Sequence, residues 1–346
     1  MGRICFSSEP VVTVQPFLES VHATIRTLWH EEAAGTSLAV DPDGDVERIA
    51  LPPGLLDWVL EAVRLSPFLP LLLFACEAMG GDGGAAVPVA AAWHLLHAAA
   101  HLLDDVLDGE VPHLDPAQAM NATVGLTFLA QLSLISLQHN RLPPDRIVDL
   151  IAAFNRATFR MAAGPASDLA FGDGTTLDDY WRVVAAKSGA FFALACRAGA
   201  MLGAEPEAEI THYDRFGHHL GILLQISDDL RAVWRPRGRG DLATLGRTLP
   251  VVYARAVAPV EMKSQLQGLV TRAPDHEAAL AELQALLNDP ATVGERSQGV
   301  LHYVTVQAGI HHQLAREALL ATARWDIAHD ALLKLLDRVL PAVVDF

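Results

Sequence analysis

Three carboxylates stand in an otherwise apolar segment, His101-Leu102-Leu103-Asp104-Asp105-Val106-Leu107-Asp108. On a helix, Asp104 and Asp108 are four residues apart and stack on one face, about 6 Å apart at Cβ. Asp105 lies about 100° round the same turn. Bare carboxylates among leucines are costly to desolvate, and like charges at this spacing repel. A hard divalent cation removes both problems, because Mg²⁺ takes oxygen ligands and commonly binds one or two carboxylates together with substrate phosphates. Taken alone, the segment reads equally well as a solvated acidic helix end before Gly109. A second acidic pair weakens that alternative: Gln225-Ile226-Ser227-Asp228-Asp229-Leu230 follows another apolar helical run, Gly221 to Ile226. Between the two lies Lys187-Ser188-Gly189-Ala190-Phe191-Phe192, a lone lysine flanked by Ala185, Ala186, Gly189 and Ala190. Two facing acidic helices and a buried lysine make a site for a metal-bound diphosphate.

The elements that position these residues are helices throughout. Apolar residues recur at helical spacing over 15–32 and 55–65, and a further helix runs on to Met79. Gly80-Gly81-Asp82-Gly83-Gly84 breaks the chain. The helix of the first acidic motif is expected from Pro88, as a first-turn proline, to Asp108. Asp115-Pro116 opens a helix to Asn140, and Pro143-Pro144 opens another to Ala163. A loop over 164–175 closes at Thr176, an N-cap with Asp179 three residues on. A helix over 177–202 carries Lys187, with Ser188 and Gly189 as sites for a kink. Pro206 starts the helix of the second motif, and helices are expected from Leu249 and over 260–287, 296–322 and 328–343. No strand pattern, repeat or low-complexity tract appears. The expectation is an all-α fold, a single large helical bundle around a deep apolar cavity. It forms one domain over 1–346, with 1–14 as a loose N-terminal extension.

Composition fits such a bundle. Of 346 residues, 51% are hydrophobic and 19% charged, and the mean hydropathy of +0.26 is high for a soluble chain. The net charge of −16 argues against nucleic acid and anionic membranes as partners. Cys5, Cys76 and Cys196 are too widely spaced for a disulfide framework or a zinc site. There is no signal-peptide pattern, and no run of eighteen apolar residues escapes a Pro, His or charge. The expectation is a cytoplasmic homodimer without a stable membrane anchor.

The order and texture of the motifs resemble the trans-isoprenyl diphosphate synthase and class I terpene synthase superfamily, the polyprenyl synthetase-like enzymes. Asp104 to Asp108 resembles its first aspartate-rich motif, and His97 sits where that family usually has a His. Gly164-Pro165-Ala166-Ser167-Asp168-Leu169 resembles its G-Q-x-x-D-L, Lys187-Ser188 its K-T, and Leu224-Gln225 its F-Q ahead of the second motif at Asp228-Asp229. Asp241-Leu242 through Arg247-Thr248-Leu249-Pro250 resembles its D-L…K-T-L-P, so the likeness runs from Pro70 to Ala254.

The resemblance implies three Mg²⁺ ions held by Asp104, Asp108 and Asp228 on an allylic prenyl diphosphate, with Asp105 and Asp229 as supporting carboxylates. Lys187 becomes a fixed charge on the phosphates; its plain alternative is a snorkelling surface lysine. Gln225 is either a polar group beside the cation or an ordinary buried amide. Arg231, Arg235, Arg237 and Arg239 either close over the diphosphate or are simply solvated. His94, His97 and His101 share roughly one face; since Mg²⁺ prefers oxygen, they read as pocket wall or satisfied core. Phe191, Phe192, Trp93 and Tyr180 either line the pocket, stabilising a carbocation with their ring faces, or pack in the core. In the resembling family, bulky residues at the positions of Ala99 and Ala100 stop the prenyl tail. Here both are alanine, so the tail passes towards Leu96 and Trp93, and the substrate is expected to be C20 or longer.

The departures are informative. Chain-elongating members carry a G-G-K-R-x-R-P stretch for isopentenyl diphosphate; this region here reads Arg64-Leu65-Ser66-Pro67-Phe68-Leu69-Pro70. Gly109-Glu110-Val111-Pro112-His113 stands where paired arginines usually follow the first motif, Ala232 replaces the third Asp of the second, and Gly246, beside Arg247, replaces the Lys before T-L-P. With those cations gone, the expected activity is that of a terpene synthase, a lyase on a prenyl-synthase frame. The alternatives are a prenyltransferase, extending the chain or using another acceptor, and a non-catalytic partner subunit.

Overall fold

The computed structural model describes residues 11–35, 39–40, 46–47, 51–52, 54–108, 114–140, 142–168, 175–203, 206–289, 299–323 and 326–340. The helices are α1 (Val11–Gly35), α2 (Leu55–Leu65), α3 (Pro70–Ala78), α4 (Gly83–Asp108), α5 (Pro116–Ile135), α6 (Pro144–Asp168), α7 (Leu177–Val184), α8 (Ala190–Ala200) and α9 (Glu207–Trp234). They continue as α10 (Arg239–Ala243), α11 (Leu249–Val257), α12 (Val260–Arg272), α13 (Glu277–Asn288), α14 (Val300–Leu320) and α15 (Ile327–Val339). The chain is all-α, apart from a two-residue antiparallel ladder between β1 (Ala39–Val40) and β2 (Val46–Glu47). It divides into two compact units: one of residues 1–155, 195–210 and 324–329, the other of 156–194, 211–323 and 330–346.

In the first unit, α4 packs against α5, α1 and α3. Its alanines at 90–92 and 98–99 are strong helix formers, and they are buried together with Val89, Trp93, Leu95 and Leu96. An apolar surface on nearly every side marks a core helix. This helix begins at Gly83, five residues before its expected start, because the turn is completed by Gly80, which takes a left-handed φ of 74° past the end of α3. Pro88 therefore lies inside α4, and its carbonyl accepts a hydrogen bond from the buried Ser133 hydroxyl of α5 at 2.8 Å. Asp115 caps α5 as expected, accepting from the amides of Ala117 and Gln118, with Pro116 in the first turn.

In the second unit, α11 packs against α7 and α14, and α12 against α13. Thr176 and Asp179 form the anticipated capping box of α7, with the Thr176 hydroxyl accepting from the Asp179 amide at 3.2 Å and the Asp179 carboxylate from the Thr176 amide at 3.1 Å.

Other boundaries differ from the sequence reading. α1 begins at Val11, inside the expected loose extension. Residues Gly164 to Asp168, expected as loop, continue α6. The helix foreseen over 260–287 is two, separated at Ala273–His276 by a turn containing Pro274. The expectations for residues 1–10, 36–38, 41–45, 48–50, 109–113, 169–174, 296–298 and 341–343 lie outside the described residues. Among the described residues, and judged by mean composition rather than by uninterrupted runs, three helical stretches, Gly83–Leu107, Pro116–Asn140 and Leu177–Ala200, are long and apolar enough to cross a membrane, as is the bent pair Leu55–Leu65 and Pro70–Ala78 taken together; the first and third stretches are mostly buried within the fold.

Candidate active site

In the second unit, α9 passes close to the chain that joins α7 and α8. Positions 217, 221, 225 and 229 of α9 recur every four residues and share a face. Two are glycines: a Cβ at Gly217 would lie 2.3 Å from the Phe192 carbonyl oxygen, and one at Gly221 would lie 2.2 Å from that of Ser188. Only glycine lets the backbones approach this far. Opposite them, the chain between α7 and α8 winds as a single π turn, Ala185–Gly189, which contains Lys187 and Ser188. π turns inside α-helices are rare and concentrate at functional sites.

The approach brings the next two α9 side chains into hydrogen-bond reach. The Ser188 hydroxyl donates to Gln225 Oε1 at 2.7 Å, and Gln225 Nε2 donates to Asp229 Oδ1 at 2.8 Å. Asp229 Oδ2 accepts from the Tyr180 hydroxyl and from the Leu249 amide, both at 2.7 Å. Asp229 is 5% exposed. Burial pushes its carboxyl up to about 6 in spite of the three donors, which pull the other way. The same burial raises the Tyr180 phenol well above its ordinary value.

Asp228, one residue earlier, is different. Its side chain is 55% exposed and pairs with Arg231 at 2.6 Å. A metal needs open carboxylate lone pairs. Asp228, exposed and engaged at Oδ1 alone by Arg231, keeps lone pairs accessible, whereas Asp229 is buried with both oxygens accepting from protein donors. Lys187 is half-buried. Arg247 closes a 3₁₀ turn, Leu245–Arg247, two residues before α11. Phe191 and Phe192 are buried, with ring centroids 5.4 Å apart and planes at 84°. Arg239, expected in a basic loop, opens α10 and pairs with Asp275 at 2.8 Å, and the Arg237 amide donates to Asp241.

In the first unit, Asp104 and Asp105 stand half-buried in the last turns of α4, where Leu107 is already exposed, and Asp108 is the final residue of the helix. Below them Trp93 is 1% exposed and stacks on His97, with centroids 5.9 Å apart and planes at 7°. Leu96 and Ala99 are buried and Ala100 half-buried. His97 meets His101 edge-on at 5.0 Å. Burial, with the neighbouring imidazoles, drives His97 down to about 3. Burial takes His94 to about 4, and its Nε2 donates to the Val59 carbonyl at 3.0 Å. Both rings are neutral at pH 7.

Among the described residues, no three His, Cys, Asp or Glu side chains gather as a ready-made metal site. What sequence reasoning missed is the role of Tyr180, foreseen only as a pocket-lining or core aromatic, and the Leu249 amide. The available signal was Pro250: with no N–H of its own, it sits next to a helix-opening amide that needs an acceptor.

Comparison with known proteins now decides between the readings. The polyprenyl synthetase profile matches residues 69–287. A geranylgeranyl diphosphate synthase of Mycobacterium tuberculosis is 31% identical over 229 residues, 61% of this chain and 65% of that protein. A dimethylallyltranstransferase of the same organism is 29% identical over 255 residues, 69% of this chain and 75% of that protein. The decaprenyl diphosphate synthase of Rhodobacter capsulatus has the same fold, with a TM-score of 0.73 at 20% identity over 95% of this chain and 97% of that one. These names overturn the expectation of a terpene synthase and lyase: the relatives are prenyl diphosphate synthases and a transferase. The absence of the second-substrate cations therefore does not mark a lyase in this chain. On the extent of the profile match, the chain belongs to the polyprenyl synthetase family.

Proposed function

We propose that the protein is a Mg²⁺-dependent prenyltransferase that joins an allylic prenyl diphosphate to an acceptor, in the first instance extending the chain with isopentenyl diphosphate. The observation that carries this is the naming of its relatives as prenyl diphosphate synthases, on a chain that keeps the first acidic motif, the Asp228-Asp229 pair of the second, Lys187 and Gln225. Asp104, Asp108 and Asp228 would hold the magnesium, which when bound neutralises the charge developing on the diphosphate as the allylic C–O bond breaks. Asp228 fits a ligand role because its side chain is 55% exposed, with Oδ1 held only by an exchangeable ion pair to Arg231. Lys187, Arg231 and Arg247 would hold the phosphates, and Phe191 and Phe192 would shield the reacting carbon from water.

A second reading keeps the donor and changes the acceptor. Phe68 and Leu69, which stand in the later part of the basic stretch's place, are buried in the first unit and offer no charge to a second diphosphate. An acceptor without a diphosphate suits it.

The chain is proposed to act as one domain, in solution, as a homodimer. Met120, Val124 and Phe128 are 55%, 56% and 65% exposed at four-residue spacing on α5, an apolar stripe that a second copy would cover.

The test is incubation with geranyl, farnesyl or geranylgeranyl diphosphate and Mg²⁺, with and without isopentenyl diphosphate. A longer diphosphate is expected. Hydrocarbon or alcohol formed from the allylic substrate alone would overturn the transferase reading. Turnover only with a different acceptor selects the second reading.

A further inference from the structure

We propose that Tyr180 and Asp229 are positioning residues, a buried clamp that fixes the Arg247-bearing turn and so sets recognition of the donor diphosphate. This rests on the prenyltransferase reading above. Thr248 is the residue type that ordinarily caps a helix and stands at the N-cap of α11, yet its side chain makes no capping bond. Its hydroxyl turns back to the Leu245 carbonyl at 2.8 Å. The first amide of α11, Leu249, instead donates to Asp229, twenty residues earlier in the chain. A carboxylate at that place also meets the positive end of the helix dipole. Asp229 is held in turn by Tyr180 from α7 and by Gln225. The same turn is tied from its other side, where Arg255 Nη2 donates to the Gly246 carbonyl at 3.2 Å. Arg247 lies between these two fastenings. The carboxylate of Asp229 thus has three donors and little exposure, which is the environment of a structural anchor; Asp228 is left to face a metal.

The test separates positioning from ligation. Tyr180→Phe removes one hydrogen bond to a charged acceptor and keeps the ring. It is expected to raise KM for the allylic diphosphate about tenfold, to change kcat little, and to leave the Mg²⁺ concentration for half-activation unchanged. Asp228→Asn is expected to shift that Mg²⁺ midpoint upward. Arg247→Ala should raise KM by itself, and Tyr180→Phe added to it should raise KM no further. Additive effects, an unchanged KM in Tyr180→Phe, or a Mg²⁺ midpoint that moves in Asp229→Asn as it does in Asp228→Asn would overturn the proposal. A wild-type protein inactive on every prenyl diphosphate would sink the functional reading instead. The clamp would then be decided by the Leu249 amide resonance in ¹⁵N-labelled protein: it is expected to move and to exchange faster in Asp229→Asn, and an unmoved resonance would refute the clamp.

Discussion

The two acidic motifs use the same residues differently. At the end of α4, Asp104 and Asp105 stand where core packing stops. In the last two turns of α9, Asp228 and Asp229 are split: one looks outward to Arg231, and the other is buried under three donors. A helix that has left the core can present several carboxylates because water still reaches them. A helix that crosses another at glycine contact must bury one side of each turn, and a carboxylate on that side survives only if fully hydrogen-bonded. Position relative to packing, not residue type, therefore sets what each aspartate does.

The largest expected contrast is in activity. Asp104→Ala or Asp108→Ala should lower turnover by orders of magnitude while leaving the fold intact, because removing one of several repelling carboxylates relieves the metal-free protein. Full activity in a chelator, measured by product formation, would break the comparison at its first half.

Next comes stability. Asp229→Ala leaves the Tyr180 hydroxyl, the Leu249 amide and Gln225 Nε2 without their acceptor, and should cost about 4 kcal/mol. Asp228→Ala removes a surface ion pair and should cost below about 1 kcal/mol. Denaturant unfolding of the two variants measures the split; equal losses would mean that the aspartates are not divided in this way.

The glycines that force the split make the third contrast. Gly221→Ala drives a methyl into the Ser188 carbonyl and should cost about 3 kcal/mol. Gly268→Ala on α12 meets no atom within 4 Å and should stabilise by about 0.5–1 kcal/mol. A harmless Gly221→Ala would mean that α9 can move away from the π turn.

Much of this was legible beforehand. Capping residues such as Thr176 and Asp115 act within a few residues of themselves, so their helix starts followed from the sequence. The acidic motifs and Lys187 were found because their spacing is local. The clamp was not, because Asp229, Tyr180 and Leu249 are separated by 49 and 20 positions, and only the packed structure joins them. Boundaries failed where glycine was read as a breaker: Gly83 and Gly84 lie in the first turn of α4, where intrahelical amide partners are missing anyway.

The smallest effect concerns what lies beneath the α4 motif. His94 and His97 are held neutral, at about 4 and about 3, against an unfolded value near 6.5. Below pH 6.5 the unfolded chain takes up protons that the native protein refuses. Stability is therefore full above that pH and falls as the pH drops towards 4, by about 1.4 kcal/mol per unit for each such histidine. His219 and His311 in the second unit are also held down, to about 4, by burial first. If these histidines act independently, His94→Gln removes one share and leaves the others. Gln keeps a donor for the Val59 carbonyl, so the substitution tests titration rather than packing. Between pH 7.5 and 5.5 the variant should lose about 1.4 kcal/mol less than the wild type in urea unfolding. An identical pH dependence would mean that His94 takes up its proton in the native state, and that the interior below Asp104 admits water as the buried face of α9 does not.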